Sequence, residues 1–203
     1  MEMVFILLAI FIILMLLRVP IAVSMGLSSL IGFMMIGYNL TTVGSTLYTA
    51  VASTAMITIP GYIFAGSIMA NGGISKNLLD ALKSWIGHIP GGIAIVTVLA
   101  CALFAAITGS ASATIAAVGG LMIPAMKESN YKSSFSTGLV ASAGSLGILI
   151  PPSIPMILYT TIASVSVSKL FAAGMLPGLI VVVGFSVYIV VYSVAHNQKG
   201  GAV

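Results

Sequence analysis

The sequence predicts an all-α integral membrane protein, on three observations. Hydrophobic residues make up 60% of the chain and charged residues only 5%, and the mean hydropathy is +1.23. Soluble domains carry about 25% charged residues, so water could not solvate this surface. The apolar residues also come in runs that approach or exceed the roughly 20 residues a helix needs to cross a bilayer. The basic residues lie between these runs, which is typical of membrane loops and argues against a nucleic-acid partner.

Six apolar runs are predicted to form the helices, at about 2–17, 20–37, 43–70, 92–126, 133–163 and 170–195. The first run is interpreted as a membrane helix and not as a signal peptide, because it lacks a basic start and a small-residue cleavage pattern. Pro60 is expected to kink the third run. Pro177 and Gly178 are expected to turn the chain into the last helix.

An amphipathic helix that lies in the membrane interface is predicted between the third and fourth runs. Its apolar residues recur at helical spacing, and its charged residues lie on the other side. Trp85 would anchor the helix at the level of the lipid headgroups. The apolar face consists of Leu78, Leu79, Leu82, Trp85 and Ile86.

The run from 92 to 126 must fold back on itself. As one helix, its 35 residues would reach over about 50 Å, too long for one crossing. The turning point is predicted at 108–114, where glycine and hydroxyl residues cluster. A fold-back places six of the seven basic residues, including Lys127 and Lys132, on the cytoplasmic side. The N-terminus is then periplasmic and the C-terminus cytoplasmic; a hairpin that crosses completely would give the same distribution.

The run 133–163 is predicted to be a broken helix. Pro151 and Pro152 have no N–H to donate, and each pushes the preceding residue out of the helical conformation. Ser153 suits the start of a second half-helix. Irregular backbone at membrane depth is tolerated only where protein or a water-filled cavity surrounds it. Broken helices of this kind mark ion and substrate sites in secondary transporters.

The hairpin tip at 109–114 and the break at 143–155 are therefore predicted to form a binding site. A half-helix that ends presents carbonyl oxygens suited to a cation, and one that begins presents N–H groups suited to a carboxylate. Each stretch alone also fits a packing role, since small residues let membrane helices approach closely and a double proline is by itself a kink. Two such stretches in succession, each with hydroxyl groups, favour binding.

The absence of charged residues from the apolar runs limits the kinds of transport that the protein could carry out. No Asp, Glu, Lys or Arg lies inside a run, which argues against a proton relay and hence against H⁺ coupling. Na⁺ is then the abundant cation that carbonyl and hydroxyl oxygens could hold. The sequence shows no nucleophile with a base and an orienting acid, no metal-ligand spacing and no phosphate loop, so an enzyme is not expected.

Several sequence motifs, at the tip, at the break and after them, together resemble those of one protein family. They are TGSASATIAA at 108–117, IPAMK at 123–127, SLGILIPPSIPM at 145–156, KLF at 169–171 and GMLPG at 174–178. With these motifs in this order, the chain resembles the N-terminal half of the large membrane subunit, DctM-like, of tripartite ATP-independent periplasmic (TRAP) transporters. The segment with Ile-Pro-Pro-Ser-Ile-Pro after a glycine is specific, whereas the tip alone is not.

The resemblance implies one repeat of an inverted-repeat, elevator-type transporter of the bacterial inner membrane. It implies Na⁺ symport of an organic acid, such as a C4-dicarboxylate, with Na⁺ as coupling ion and no other cofactor. The implied partners are a small membrane subunit and a periplasmic substrate-binding protein. Candidate Na⁺ ligands in these stretches are Ser110, Ser112 and Gly147, although the resemblance does not identify the exact oxygens. The full set of candidate ion- and substrate-binding residues is Gly109, Ser110, Ser112 and Thr114 at the tip and Ser145, Gly147, Pro151, Pro152 and Ser153 at the break.

The family's large subunit has two repeats, so a second large-subunit half is a further expected partner. Two alternative interpretations are another dicarboxylate or citrate carrier with hairpins and broken helices, and a truncated membrane fragment that is inactive on its own. The predicted division of the chain is 1–72 for scaffold-type helices, 73–90 for the interfacial arm, 91–127 for the re-entrant hairpin, 128–165 for the broken helix and 166–203 for a second arm and the last helix.

Overall fold

The computed structural model of the protein describes residues 2–163 and 165–196, apart from the side chains of residues 54, 55, 70, 71, 74 and 75. Every regular element in these ranges is a helix, which confirms the predicted all-α class. The helices form two compact units, Met1–Ser53 and Thr54–Val203. The predicted sides of the two chain ends, and of Lys199, fall outside the described residues.

The first unit is held by close packing of its first two helices. Its helices are α1 (Glu2–Leu16), α2 (Ile21–Met35) and α3 (Leu40–Val51). The buried residues of α2 are Ser24, Ser28 and Gly32, which are spaced four apart on one side of the helix. A Cβ at Gly32 would lie 3.0 Å from Leu7 Cδ1. Small residues at this spacing allow the two helices to approach closely.

The second unit is built around one central helix. In the described residues its helices are α4 (Thr54–Asn71), α5 (Ile74–Ile86), α6 (Gly92–Thr108), α7 (Ala111–Glu128), α8 (Ser133–Gly144), α9 (Leu146–Leu149), α10 (Ile154–Ala163) and α11 (Val167–Ala195). Helix α6 packs against α4, α5, α7, α8, α9 and α11. Val96, Val98 and Phe104 of α6 are at most 1% exposed. A helix that is hydrophobic all round is expected at such a central position.

The predicted fold-back of the 92–126 run is confirmed. Helices α6 and α7 pack against each other, and the chain turns between them at Gly109 and Ser110. At the open end of this hairpin, Tyr131 and Ser193 hydroxyls lie 3.1 Å apart, which ties the α7–α8 loop to α11. Burial raises the pKa of the Tyr131 hydroxyl, so this loop residue remains a neutral partner.

Two predicted helix boundaries are wrong. The run 43–70 is divided between α3 and α4: the Ala52 amide closes α3 on the Tyr48 carbonyl, and Ser53 is of a type that favours the position before a helix. Helix α4 includes Pro60, and the kink predicted there stays a prediction. Helix α11 likewise runs through Pro177 without a turn. A missing backbone hydrogen bond is tolerated inside a long helix where neighbouring groups compensate for it.

The predicted amphipathic segment forms α5. Leu79 is 2% exposed and belongs to the core, whereas Trp85 on the same helix is 76% exposed. An exposed tryptophan beside a buried leucine fits a helix whose apolar face is shared between protein and lipid. The interfacial position of α5 stays a prediction.

The lengths of the helices indicate which of them could span a bilayer. Helix α11, with 29 residues, is long and apolar enough to cross on its own, and the described residues contain up to three such spans if each bent helix pair counts as one. One bent pair is Ser133–Leu149 with Ile154–Ala163, at an angle of 40°. The predicted broken helix is therefore present. Helix α6 has 17 residues, fewer than the roughly 20 that a full crossing needs.

Candidate functional site

The hairpin tip is a two-residue turn between two helices. Helix α6 ends at Thr108, and Gly109 follows in the left-handed conformation with φ +61°. Ser110 is extended and caps α7, where its hydroxyl accepts a hydrogen bond from the Ala113 amide at 3.5 Å. Glycine at the end of one helix and serine at the start of the next are the residue types these positions favour. The sequence therefore fixes a sharp turn here.

The Thr108 side chain is buried at the centre of the tip. Its hydroxyl lies 3.0 Å from the Phe104 carbonyl and 2.9 Å from the Thr114 hydroxyl. The Ser110 amide is 3.4 Å away and the Ser110 carbonyl 3.3 Å away. Thr108 is 5% exposed and Thr114 fully buried. Thr114, a predicted site residue, thus contacts the interior of the tip.

The break is organised by a buried serine. The residues between α9 and α10 include the cis-linked Pro151 and Pro152. Ile148 would share a helical hydrogen bond with Pro152, but proline has no N–H. The Ser153 hydroxyl supplies the missing donor, at 2.7 Å from the Ile148 carbonyl, and also accepts from the Met156 amide at 3.5 Å. Ser153 thus stabilises both sides of the break.

The tip and the break meet directly through their backbones. The Ile154 amide, at the start of α10, donates to the Gly109 carbonyl at 3.1 Å. A helix end of negative polarity therefore faces a helix start of positive polarity. A Cβ on Gly109 would lie 2.8 Å from the Pro152 carbonyl oxygen. The two irregular stretches, which the sequence only places in succession, form one structure.

Gly147 of the break packs directly against the backbone of the hairpin tip. A Cβ there would lie 2.6 Å from the Ser110 carbonyl oxygen and 2.7 Å from the Ala111 nitrogen. Both atoms belong to the backbone and cannot turn away as a side chain would. Gly147 is therefore a packing position against the tip peptide, and any oxygen ligand it offers is its own carbonyl.

The remaining candidates occupy different surroundings. Ser112 is exposed, with its hydroxyl 3.2 Å from that of Ser110. Ser145 is also exposed, and its hydroxyl donates to the Ser142 carbonyl at 2.7 Å. Pro151 and Pro152 are half-buried. Ser110 and Ser112 thus form an accessible hydroxyl pair, whereas the Ser145 hydroxyl bonds within its own segment.

A cavity of about 500 Å³ opens beside the tip. It is lined by uncharged residues from four helices and the turn: Ile63, Gly66, Ser67, Thr108, Ser110, Ala113, Ala116, Ala117 and Ile154. The contribution of α4 was missed in the sequence, although Gly66 and Ser67 form a small-residue pair within an apolar run. A Cβ at Gly66 would lie 3.2 Å from the Thr108 Cα, so α4 comes close to the end of α6.

Two glycines of α11 support the break and were also missed. A Cβ at Gly174 would lie 2.9 Å from the Leu149 carbonyl oxygen. A Cβ at Gly178 would lie 2.9 Å from Ile150 Cγ1. The spacing of four residues that links these glycines is the sequence signal for such close packing. It was present in the motif GMLPG but was not assigned a role.

Removal of the Ser153 hydroxyl is expected to destabilise the protein. Ser153→Ala leaves the Ile148 carbonyl, which takes part in a part-buried hydrogen bond, without its donor, at a cost of about 1 kcal/mol in the free energy of unfolding. Ser136→Ala is the matched control: Ser136 is equally buried, but the Lys132 carbonyl it bonds also accepts from the Ser136 amide. Thermal unfolding in detergent should show a lower Tm for Ser153→Ala alone. An equal change in both variants would contradict the bridging role.

Comparison with known proteins places these features in a family. The model of the family "Tripartite ATP-independent periplasmic transporter, DctM component" matches residues 8–202. The C4-dicarboxylate TRAP transporter large permease protein DctM of Pseudomonas aeruginosa is 46% identical over 144 residues, covering 71% of this chain and 33% of the relative. The ectoine/5-hydroxyectoine large permease UehC of Ruegeria pomeroyi is 37% identical over 189 residues, covering 92% and 44%.

A third relative joins two permease names in one protein. The isethionate TRAP transporter permease protein DctMQ of Oleidesulfovibrio alaskensis is 40% identical over 183 residues, covering 90% of this chain and 29% of the relative. The chain thus spans less than half the length of each of these relatives. All three are named as transporter permeases and not as enzymes.

Proposed function

The chain belongs to the family of TRAP transporter large permeases, and from this premise we propose that it forms the N-terminal half of a Na⁺-coupled importer of small organic acids in the bacterial inner membrane. The observation that carries the proposal is the direct contact between the hairpin tip and the broken helix. The Ile154 amide bonds the Gly109 carbonyl, and Gly147 packs on the Ser110–Ala111 peptide.

The chemistry of the tip suits a small hard cation. The last carbonyls of α6 point out of the helix end, and the Ser110 and Ser112 hydroxyls are accessible beside them. Oxygen ligands of this kind suit hard cations. The cavity at the tip is lined by uncharged residues. The proposed Na⁺ ligands are therefore oxygens of Ser110, Ser112 and Gly147, with no carboxylate among them.

The substrate is proposed as an anion that is bound together with the cation. The Ala111 and Ser112 amides are the first of α7 and have no carbonyl within the helix to bond. Such helix starts bind carboxylates. The names of the relatives mention C4-dicarboxylate, ectoine and isethionate, so the family accommodates different substrates. The identity of the substrate in this chain is left to the uptake test below.

The rest of the transporter is proposed to come from other segments. A second large-subunit half would complete the site, a small permease would join it in the membrane, and a periplasmic binding protein would deliver the substrate. The membrane-crossing elements would work as an elevator, in which the tip and the break move as one body. The hydrogen bond and close packing between them support joint movement.

Replacement of Na⁺ is expected to abolish uptake. The test uses proteoliposomes that contain this chain with the second large-subunit half, the small permease and the binding protein, called here the complete transporter. Radiolabelled succinate, isethionate and ectoine serve as probes, with an inward Na⁺ gradient or an equal K⁺ gradient. At least one probe should accumulate in Na⁺ and not in K⁺. Equal accumulation in both salts would reject Na⁺ coupling.

A further inference from the structure

We infer that the Thr108 hydroxyl is a positioning group that controls cation affinity at the hairpin tip, an inference that rests on the function proposed above. Thr108 lies outside the predicted set of site residues. Its side chain is 5% exposed, and it lies within hydrogen-bond distance of groups on both helices of the hairpin. The Thr108 hydroxyl thus lies within hydrogen-bond distance of groups on α6, in the turn and on α7.

The Thr108 hydroxyl has partners for its donor proton and for both of its lone pairs. A threonine hydroxyl has one proton to donate and two lone pairs to accept with. In one consistent arrangement Thr108 donates to the Phe104 carbonyl at 3.0 Å, with the Ser110 carbonyl at 3.3 Å as the alternative acceptor. It then accepts from the Ser110 amide at 3.4 Å and from the Thr114 hydroxyl at 2.9 Å. The full capacity of the hydroxyl is used, and each partner is a buried or tip group.

The Thr108 hydroxyl supplies an acceptor for the Ser110 amide. In a continued α-helix, the Ser110 amide would bond the carbonyl four residues earlier, that of Ala106. The Thr108 hydroxyl takes this amide instead. Gly109, with φ +61°, provides the backbone turn that makes this possible. The Ala106 carbonyl is one of the last carbonyls of α6, which have no donor within the helix.

The same bond also holds the Ser110 hydroxyl in place. Ser110 has extended backbone angles, φ −138° and ψ 126°, and its hydroxyl lies 3.2 Å from that of Ser112. If its amide returned to Ala106, Ser110 would adopt helical angles and its side chain would leave this position. The Thr108 hydroxyl therefore holds the Ser110 hydroxyl, a proposed Na⁺ ligand, in position without itself needing to touch the ion.

The test compares Thr108→Val with Thr108→Ser and Thr97→Val. Valine keeps the shape of threonine but lacks the hydroxyl, so the Ser110 amide loses its acceptor and Ser110 should be held less firmly. In the complete transporter, the Na⁺ concentration for half-maximal uptake should rise about fivefold in Thr108→Val, as expected for the loss of one hydrogen bond. The maximal rate at saturating Na⁺ should change little. Thr108→Ser should restore the wild-type Na⁺ dependence.

Thr97→Val is the matched control. Thr97 lies on the same helix, is fully buried, and donates to the carbonyl four residues earlier, that of Ile93, at 2.9 Å. It does not contact the tip. Its substitution should leave the Na⁺ dependence unchanged. An equal rise in Thr97→Val and Thr108→Val would overturn the inference, because loss of any buried hydroxyl would then suffice.

A second measurement does not depend on transport. Hydrogen exchange of the Ser110 amide, followed in the segment 105–114, should become faster in Thr108→Val and not in Thr97→Val. Thr114→Val, which keeps the acceptor for the Ser110 amide, should show a smaller effect in both measurements and replaces Thr108→Val if that variant fails to fold.

If wild-type uptake does not depend on Na⁺, the proposed function has failed. If wild-type uptake needs Na⁺ but Thr108→Val and Thr114→Val both match the wild type, the positioning role has failed.

Discussion

Gly147→Ala is expected to abolish substrate uptake although it adds one methyl group. The new Cβ would lie 2.6 Å from the Ser110 carbonyl oxygen and 2.7 Å from the Ala111 nitrogen. Because these are backbone atoms, the tip and the break must separate to accept it. Displacement of a site by about 1 Å can lower a rate about 100-fold. Initial uptake rates in the complete transporter should fall by about this factor, with membrane insertion retained.

Gly138→Ala controls for the addition of a methyl group to the same bent span. Gly138 lies on α8, and a Cβ there would meet nothing within 4 Å. Its uptake should equal that of the wild type. Gly147→Leu should be at least as inactive as Gly147→Ala, since a larger side chain increases the same overlap. Wild-type uptake by Gly147→Ala would show that the tip and the break need not touch during transport.

Gly109→Ala is expected to have the second largest effect, for two separate reasons. The φ of +61° costs alanine about 1–2 kcal/mol. In addition, the Cβ would lie 2.8 Å from the Pro152 carbonyl oxygen, beside the hydrogen bond between Ile154 and Gly109. Both the turn and its contact with the break should be disturbed. Uptake should fall at least about tenfold, and the Tm in detergent should decrease.

Gly73→Ala separates these two reasons. Gly73 also has a left-handed φ, +82°, but a Cβ there would meet nothing within 4 Å. It should therefore lower the Tm through backbone strain alone and leave the uptake per correctly inserted molecule unchanged. If Gly73→Ala and Gly109→Ala reduce uptake equally, backbone strain explains the result, and the contact with Pro152 has no separate role.

Local chemistry made much of this fold predictable. The 35-residue length of one run, with Gly109 and Ser110 in its middle, predicted the hairpin, and Pro151 and Pro152 predicted the break. These signals act within a few residues of where they appear. The division of the third run at Ala52 and Ser53 was missed, because its hydropathy continues unchanged across a break that only hydrogen bonding reveals.

The site was less predictable because its contacts join distant residues. Sequence reasoning selected Gly147 and Ser110, but not that one packs on the backbone of the other. It assigned no role to Gly66 or Gly174, because a glycine in an apolar run does not reveal which helix packs against it. It also missed Thr108. The interest of this residue lies in the four groups within hydrogen-bond distance of its hydroxyl, which its residue type alone does not indicate.

The most direct measurement of the central claim is Na⁺-dependent protection of the tip from alkylation. Ala113→Cys places a thiol on the exposed wall of the cavity next to the Ser110 cap, while the native Cys101 is buried. Gly138→Cys provides an exposed thiol on α8, away from the cavity lining. In the complete transporter, a small thiol reagent should modify residue 113 more slowly in Na⁺ than in K⁺, and residue 138 equally in both. Equal rates at residue 113 in the two salts would contradict a Na⁺ site at the hairpin tip.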